Sequence, residues 1–545
     1  MLRRIKPTCV AAARALLGAS GAGAVTFQTE SLSGSFDSTI SIGSGVRLKD
    51  PSTTLINAGN SGGPPGELSP LSGMGDQGNL NYAKGDAFTT YLKGSHELVL
   101  KAPEGVTFMG RFTWLRDFTA TRTTGFISST PPIDSPDGLS SAARDDLEFK
   151  ARLLDFWVSK SFEVGDQQAR LRVGNQVVNW GESLFLPGGI NATNAMDIMR
   201  LSQPGTQLKE AVLAAPMISL ASGLGHGFNA EAYLQTDWNK SYFPPTGSYW
   251  SVVNGLGKGS NAYGIQDTKP SSTGQWGASL RYQPESIPLN LGLYAMNYTD
   301  KTPNLALTAF GPQWKYLEDR KMYGISANMP VGDWALGTEL SYRPRDAVFL
   351  SPNTDGCAGQ GGNCWVDQKH YQWALTSILS LTPSNAEGFL KVLGAQTATL
   401  LAEGVVTAFP GLKQSYNGEL VAAGGWGWGN ELAINAATNQ QVPVGSKYSS
   451  GFNFDFSWVY DGTLIKGWQV VPEIYYYQAL SGRTPTIAGT FMTGAKSANL
   501  TVSFIQNPAT WQFGVNYAKF WGGSSVFDQP LRDRDFIGVY ASRNF

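Results

Sequence analysis

The feature that most constrains this chain is an alternation of period two that recurs along its length. On 452–460, Phe452, Phe454, Phe456, Trp458 and Tyr460 share one face of an extended strand, while Asn453, Asp455 and Ser457 share the other. Residues 511–518 set Trp511, Phe513, Val515 and Tyr517 against Gln512, Gly514, Asn516 and Ala518. Residues 334–343 set Trp334, Leu336, Leu340 and Tyr342 against Gly337, Glu339, Ser341 and Arg343. A soluble sandwich and a barrel both satisfy such alternation. Aromatic residues at the strand ends favour the barrel, because they match the girdles at the two membrane interfaces. After the N-terminus no apolar run is long enough for a spanning helix. A composition of 42% hydrophobic, 12% aromatic and only 15% charged residues, with 64 glycines, fits strands that face lipid on one side. No repeat of fixed period appears, which argues against a propeller or β-helix.

The connections test this independently. Eighteen strands are predicted, from 33–47 to 534–545, and include 167–179, 208–220, 225–238, 333–346 and a long one at 388–408. Every second connection is then short, as in APEG, EVGDQ, PVG and NPAT, and the others are long, as in 48–89, 180–207, 239–273 and 409–446. Alternating turns and loops predict one all-β domain, 25–545. It is a large antiparallel transmembrane β-barrel with turns in the periplasm and long loops outside, one of them carrying a short helix. In lipid no edge can stay unpaired, so the last strand must meet the first. That strand ends on Phe545, in a row with Ile537, Val539 and Ala541 that only Arg543 breaks. A terminal aromatic on such a strand resembles the assembly signal of bacterial outer-membrane barrels. The resemblance implies recognition of Phe545 by the barrel-assembly machinery and outer-membrane lipid as surroundings.

Residues 1–24 read as a signal peptide. Arg3, Arg4 and Lys6 form a basic start, Val10–Leu17 a short apolar stretch, and Ala22-Gly23-Ala24 a cleavage site. Removing its four bases takes the formal net charge from −1 to −5, so no nucleic-acid partner is expected. Cys357 and Cys364, in the Gly-rich CAGQGGNC, are expected to form a local disulfide outside the cell, not a metal site, since no His or third Cys lies nearby. Of the three histidines, His96 follows Ser95, but neighbours on a strand point to opposite faces, so that pair makes no nucleophile. No nucleophile elbow, zinc pair or phosphate loop is present. Neither catalysis nor a cofactor is expected.

Several segments carry a family likeness: GSFDSTISIGSGVRLKD, GNLNYAKGDAF, the block QQARLRVGNQVVNWGES running into LFLPGGINATNAMDIMRLSQPGTQLKEAVLAAPMISL, and RDFIGVYASRNF. Together they resemble a proteobacterial outer-membrane barrel family filed as domain of unknown function 1302. The resemblance implies a periplasmic lipoprotein-carrier-like partner, an inner-membrane transporter of the resistance-nodulation-division type, and traffic in apolar small molecules.

The predicted lumen wall carries Arg111, Asp155, Arg170, Arg172, Glu231, Arg281, Glu339, Arg343, Asp455, Glu473 and Arg543. Both signs are present, so strong ion selectivity does not follow. Loop 180–207 is the candidate constriction. A helix is expected over 191–201, capped by Asn191 or Thr193, with Ala192, Met196 and Met199 as an apolar side and with Asp197 and Arg200 among its polar residues. The strand before the loop carries Arg170 and Arg172 on its lumen face, and the loop itself carries Glu182 and Asp197. Folded inward, this loop narrows the barrel; folded outward, it packs on the rim. Three functions remain open: a conduit for hydrophobic small molecules or lipids, a general diffusion porin for small polar solutes, and a barrel enzyme acting on lipids.

Overall fold

In the computed structural model the chain closes on itself. Its first long strand, Ser33–Arg47 (β1), pairs antiparallel with its last, Phe536–Asn544 (β18), from Thr39 opposite Asn544 to Arg47 opposite Phe536. Residues 25–52, 55, 76–123, 138–350, 354–424, 444–524 and 528–545 are described, so the signal peptide expected at 1–24 lies outside them. Between the two seam strands run β2 Ala87–Ala102, β3 Val106–Asp117, β4 Phe149–Val164, β5 Gln167–Gln176, β6 Ala215–Gly225, β7 Phe228–Gln235, β8 Gln275–Tyr282 and β9 Asn290–Tyr298. They continue as β10 Arg320–Val331, β11 Trp334–Phe349, β12 Trp365–Leu381, β13 Thr397–Ala408, β14 Tyr448–Asp461, β15 Trp468–Ser481, β16 Ala495–Gln506 and β17 Trp511–Gly522. Each pairs antiparallel with the strands before and after it. The eighteen strands form a ring, so the wall's N–H and C=O groups bond from strand to strand with no open edge.

Alternation sorts the two faces. Val158, Leu171, Ile218, Ile325, Leu375 and Val539 point outward and are exposed, whereas Glu339, Gln372, Glu403 and Asn453 point inward and are buried. This is the apolar-out, polar-in pattern of a transmembrane β-barrel. Arg543 belongs to the outward row, not to the lumen. Its guanidinium lies 5.2 Å from the centre of the Trp511 ring and 4.9 Å from that of Phe545, while its neighbour in parity on the other face, Tyr540, meets an inner loop at Gly205. Aromatic faces let a cation stay at a membrane boundary. Phe545 itself donates to Ser38 O at 2.8 Å, and Ser38 N donates back at 3.2 Å. Beyond that point Val25–Gln28 pairs with Ser33–Phe36, covering the stretch of β1 that β18 does not reach.

Three elements differ from the sequence expectation. The long strand at 388–408 is a helix, Pro383–Leu393, followed by the shorter β13. Thr382 and Asn385 form its capping box, Pro383 starts it and Gly394 closes it with φ 68°, signals that outweigh the apolar run FLKVL. The strand expected at 208–220 starts at Ala215, because Leu208–Ala211 is a helical turn that sends Glu210 into the barrel. The helix expected over 191–201 is broken into a 3-10 turn at Ile190–Thr193, a two-residue strand at Ala195–Met196 and a turn at Ile198–Leu201. Between the two turns Met196, Asp197 and Ile198 donate their N–H groups to Ser241, Ala211 and Tyr242, and only the turns themselves keep short-range bonds such as Asn194 N to Asn191 O. Among the described residues no helix is long and apolar enough to cross a membrane.

The long loops pack together over one end. Arg534 is fully buried and grips Asp76 through two 2.7 Å bonds, and the equally buried Arg47 pairs with Asp533 at 3.2 Å. Gly78 is needed at this junction, since a Cβ there would sit 2.2 Å from Ser248 O. Cys357 and Cys364 are joined by a disulfide, and both are buried among Val253, Ile265, Leu305, Trp314 and Phe349. The bond therefore lies inside a small core of the loop layer instead of closing an exposed loop. Nearby, burial and the charge of Asp346 push Asp300 up to about 7, and burial pushes Lys301 down to about 7.

Candidate functional site

After Gln176 the chain leaves the wall and crosses the bore before rejoining it at Ala215. Trp180 sets the entry. Its indole donates to Glu231 at 2.7 Å, its carbonyl accepts from Arg281 at 3.2 Å, and its ring packs near Tyr233 and Tyr294. Asn191 braces this turn by accepting from the N–H groups of Trp180 and Gly181.

The next ten residues meet two wall carboxylates. Glu339 on β11 accepts from the backbone of Glu182 at 2.6 Å, Ser183 at 3.2 Å and Ile190 at 3.0 Å. Glu403 on β13 accepts from Leu184 at 3.1 Å, Phe185 at 2.8 Å and Leu186 at 2.9 Å, and from the Ser183 hydroxyl at 2.5 Å. This irregular segment has no ladder for its N–H groups, and a carboxylate is an acceptor with room for several donors. Such charge-assisted bonds also compensate the burial of Glu339 and Glu403, each 1% exposed. Arg343 completes the grip by donating to Gly189 O at 2.9 Å and to Tyr298 at 3.0 Å. Gly188 and Gly189 have φ of 105° and 57°, and a Cβ on Gly189 would lie 2.0 Å from the Glu339 carboxylate. Only glycine permits that approach.

The loop then returns to the opposite wall. Ala195–Met196 pairs with Val212–Leu213. Asp197 caps the turn at Ile198–Leu201 by accepting from Arg200 N at 2.8 Å, and its other oxygen meets Arg152 of β4. On β2, Tyr91 donates to Pro204 O at 2.6 Å, and Lys93 donates to Gly205 O at 2.8 Å and to Glu210 at 2.9 Å. In a ring of eighteen, β2 and β11 stand nine strands apart, so the loop is fastened at both ends of a diameter.

The predicted wall residues take different places. Glu339, Arg343 and Arg281 touch the crossing loop. Arg111 bonds Glu97 at 3.0 Å and Asp155 at 2.6 Å, a wall-to-wall network. Arg172 stacks over Trp157 and Arg170 lies nearer the short turns, so neither meets Asp197 or Glu182. Instead Glu182 accepts from Asn328 at 2.8 Å. Glu473 faces inward beside Asp455. Met199 is packed against two buried loop clusters, those of Trp250 and Leu139, and so presents no free methionine side. The Met196 N–H donates to Ser241. Arg200 is buried between Asp197 and Glu210. The sequence reading missed Lys93, Arg152 and Glu403. A single carboxylate in the otherwise apolar LLAEGVV was the available signal for Glu403.

Two cavities flank the loop. Toward the long loops lies one of about 230 Å³ with Ile198, Trp250, Val253 and Met492 in its wall. Toward the short turns lies one of about 500 Å³ lined by Arg170, Glu231, Ser279 and Arg281. Outside the bore, His96 lies beside Ser38 at 2.8 Å, which invites a catalytic reading. Trp114 donates to His96 Nε2 at 3.0 Å. An indole can only donate, so Nε2 is the acceptor and Nδ1 carries the proton toward Ser38. That tautomer cannot take a proton from the serine. Among the described residues, no group of three His, Cys, Asp or Glu is placed to hold a metal.

A closed eighteen-strand wall, apolar outside, with an inward-folded loop across its bore defines a transmembrane β-barrel of the outer-membrane type. The chain belongs to the family described as protein of unknown function (DUF1302), whose model matches residues 6–545. None of the curated proteins compared matches it in sequence. Among solved structures it is similar to OccAB1 of Acinetobacter baumannii, with 10% identity over 96% of this chain and 99% of that one and a TM-score of 0.42. It is also similar to the outer membrane protein opdK of Pseudomonas aeruginosa, with 12% identity, 94% and 98% coverage and a TM-score of 0.43. A BenF-like porin of Pseudomonas fluorescens Pf-5 has 9% identity, 94% and 98% coverage and a TM-score of 0.43.

Proposed function

We propose that this protein is an outer-membrane conduit for hydrophobic small molecules, with its long loops outside the cell and its short turns in the periplasm. The observation that carries this reading is the loop fastened to Glu339 on one wall and to Lys93 on the other. An eighteen-strand barrel without such an element holds a wide water channel. With it, the space on the long-loop side is largely apolar, which suits an apolar solute and not a hydrated one. In this reading Asn191, Met196, Asp197, Met199 and Arg200 hold the constriction in shape and do not contact solute. A periplasmic lipoprotein-carrier-like protein receives or delivers the solute at the short-turn end, coupled to a resistance-nodulation-division type transporter. Phe545 serves as the assembly signal.

A second reading, a diffusion porin for small polar solutes, is favoured by the polar cavity around Arg170 and Arg281. Planar-bilayer recording separates the two. The conduit reading expects little conductance from the intact protein and a large rise when residues 188–203 are removed, with the barrel still assembled. An open ohmic channel in the intact protein, unchanged by the deletion, would establish the porin instead.

A further inference from the structure

We infer that the cavity on the long-loop side of the crossing loop is a binding site for a neutral, compact, ring-shaped apolar molecule, an inference that rests on the conduit reading above. Its walls come from four separate parts of the chain. Ile198 is contributed by the crossing loop, Trp250 and Val253 by the loop after β7, Met492 by the loop before β16, and Leu531 by the segment before β18. At about 230 Å³ it takes one or two fused rings and not an extended acyl chain.

Five of the six polar side chains described in its lining are already engaged. Asp528 accepts from Arg483 at 2.7 Å, Gln529 donates to Lys496 O at 2.9 Å, and the Tyr477 hydroxyl donates to Thr490 O at 2.9 Å. Ser202 donates to Ile198 O at 3.3 Å, and Ser251 donates to Val253 O at 3.2 Å. None of the described lining residues is a lysine or arginine. A carboxylate or a sugar entering this space would lose its water without gaining partners, and burial without partners is unfavourable by several kcal/mol for a charge. A hydrocarbon ring loses nothing by the transfer and gains contact with Trp250 and Met492. The site therefore selects by absence of charge, and its floor is the element that blocks the bore.

The test uses two probes of nearly equal shape, naphthalene and 2-naphthoate, in equilibrium dialysis against the full-length protein in amphipol. One equivalent of naphthalene should bind, with 2-naphthoate at least tenfold weaker. Ser202→Trp, which fills the cavity from the loop side, should reduce naphthalene binding at least tenfold, as should Thr490→Phe from the other side. Heat-modifiable migration verifies that each variant has folded. Equal binding of the two probes, or naphthalene binding unchanged in both folded variants, overturns the site. Naphthalene uptake by intact cells, compared with cells lacking the protein, separates the two claims, because a phospholipid vesicle alone does not hold back a neutral hydrocarbon. Protein-dependent uptake without site binding removes the site and keeps the conduit, whereas binding without such uptake keeps the site and removes the conduit.

Discussion

Lys93 and Glu339 stand on opposite sides of the barrel and hold the same loop. Lys93 bonds Gly205 O and Glu210, and Glu339 bonds the backbone of Ile190 at 3.0 Å. The intervening residues are thus held across the bore, with Lys93 among the anchors on one wall and Glu339 among those on the other. Neither contact is local in sequence, and together they turn a wide barrel into one with two separate cavities.

Loosening one anchor should open the bore. Glu403→Ala removes the acceptor for three backbone N–H groups and one hydroxyl. Bonds to a charged group contribute about 1.5–3 kcal/mol each, but freed groups near the lumen regain water. A net loss of about 2 kcal/mol would raise the open population roughly 30-fold. Single-channel recording should show frequent large-conductance events, and cells should become sensitive to bulky antibiotics. A record identical to the wild type would mean that Glu403 is not an anchor.

The seam should depend on Asp76. Asp76→Ala leaves the buried Arg534 guanidinium without its bidentate partner. Breaking a buried pair in this way costs about 3–5 kcal/mol. The temperature at which the band shifts in heat-modifiable electrophoresis should fall by several degrees. Arg534→Met with Asp76→Leu should recover part of that loss.

Closure of the loop between β9 and β10 should be weakest near pH 7. Asp300 is raised from 3.8 to about 7, so between these values the packed loop holds a proton that the opened loop has lost, and packing weakens as pH rises. Lys301 is lowered from 10.5 to about 7, so from pH 7 upward the opened loop holds the extra proton and packing strengthens. Hydrogen exchange at the Asp300 amide, which bonds Leu317 O at 2.9 Å, reports this directly once corrected for intrinsic rates. Asp300→Asn should flatten the acidic limb and increase protection at pH 7 by about 1–2 kcal/mol, a discounted figure for a partly exposed side chain. A protection profile that varies in one direction from pH 4 to 10 would refute this assignment.

The disulfide should matter through packing more than through chain closure. Its loop spans a separation of only seven residues, so the entropic gain is small, about 2 kcal/mol. Both sulfurs are fully buried. Replacing both cysteines with alanine should leave the barrel assembled, while replacing both with serine should cost more because two hydroxyls are buried. Protease nicking of the loop layer, compared between the two variants, decides this.

Deleting Phe545 should slow assembly without preventing pairing of the remaining seam. The residue supplies two backbone bonds to Ser38 and one ring face to Arg543. The β1–β18 register above Thr39 does not use it. Pulse-chase measurement of the heat-modifiable form should show a several-fold lag. Normal kinetics in the deletion would remove the assembly role.

What the sequence determined by itself was the wall. Period-two alternation is local, because successive side chains on a strand must face opposite ways, so Glu339, Arg343 and Arg281 could be placed inside from Trp334, Leu340 and Trp276 alone. Alternating turn lengths were equally local, and the strand count and the meeting of 534–545 with 33–47 followed from them. Arg543 was misplaced because its parity, which put it outside, was set aside for its charge. The tertiary structure alone decided the loop. In the crossing segment the N–H groups of Glu182, Ser183, Leu184, Phe185, Leu186 and Ile190 are satisfied by Glu339 and Glu403, and the carbonyls of Pro204 and Gly205 by Tyr91 and Lys93, partners 110 or more residues away. Local propensity favoured a continuous helix at 191–201, where the N–H groups of Met196, Asp197 and Ile198 bond instead to Ser241, Ala211 and Tyr242. Once groups outside the helix provide those bonds, it has no remaining advantage, and the segment follows the shape of the bore it fills.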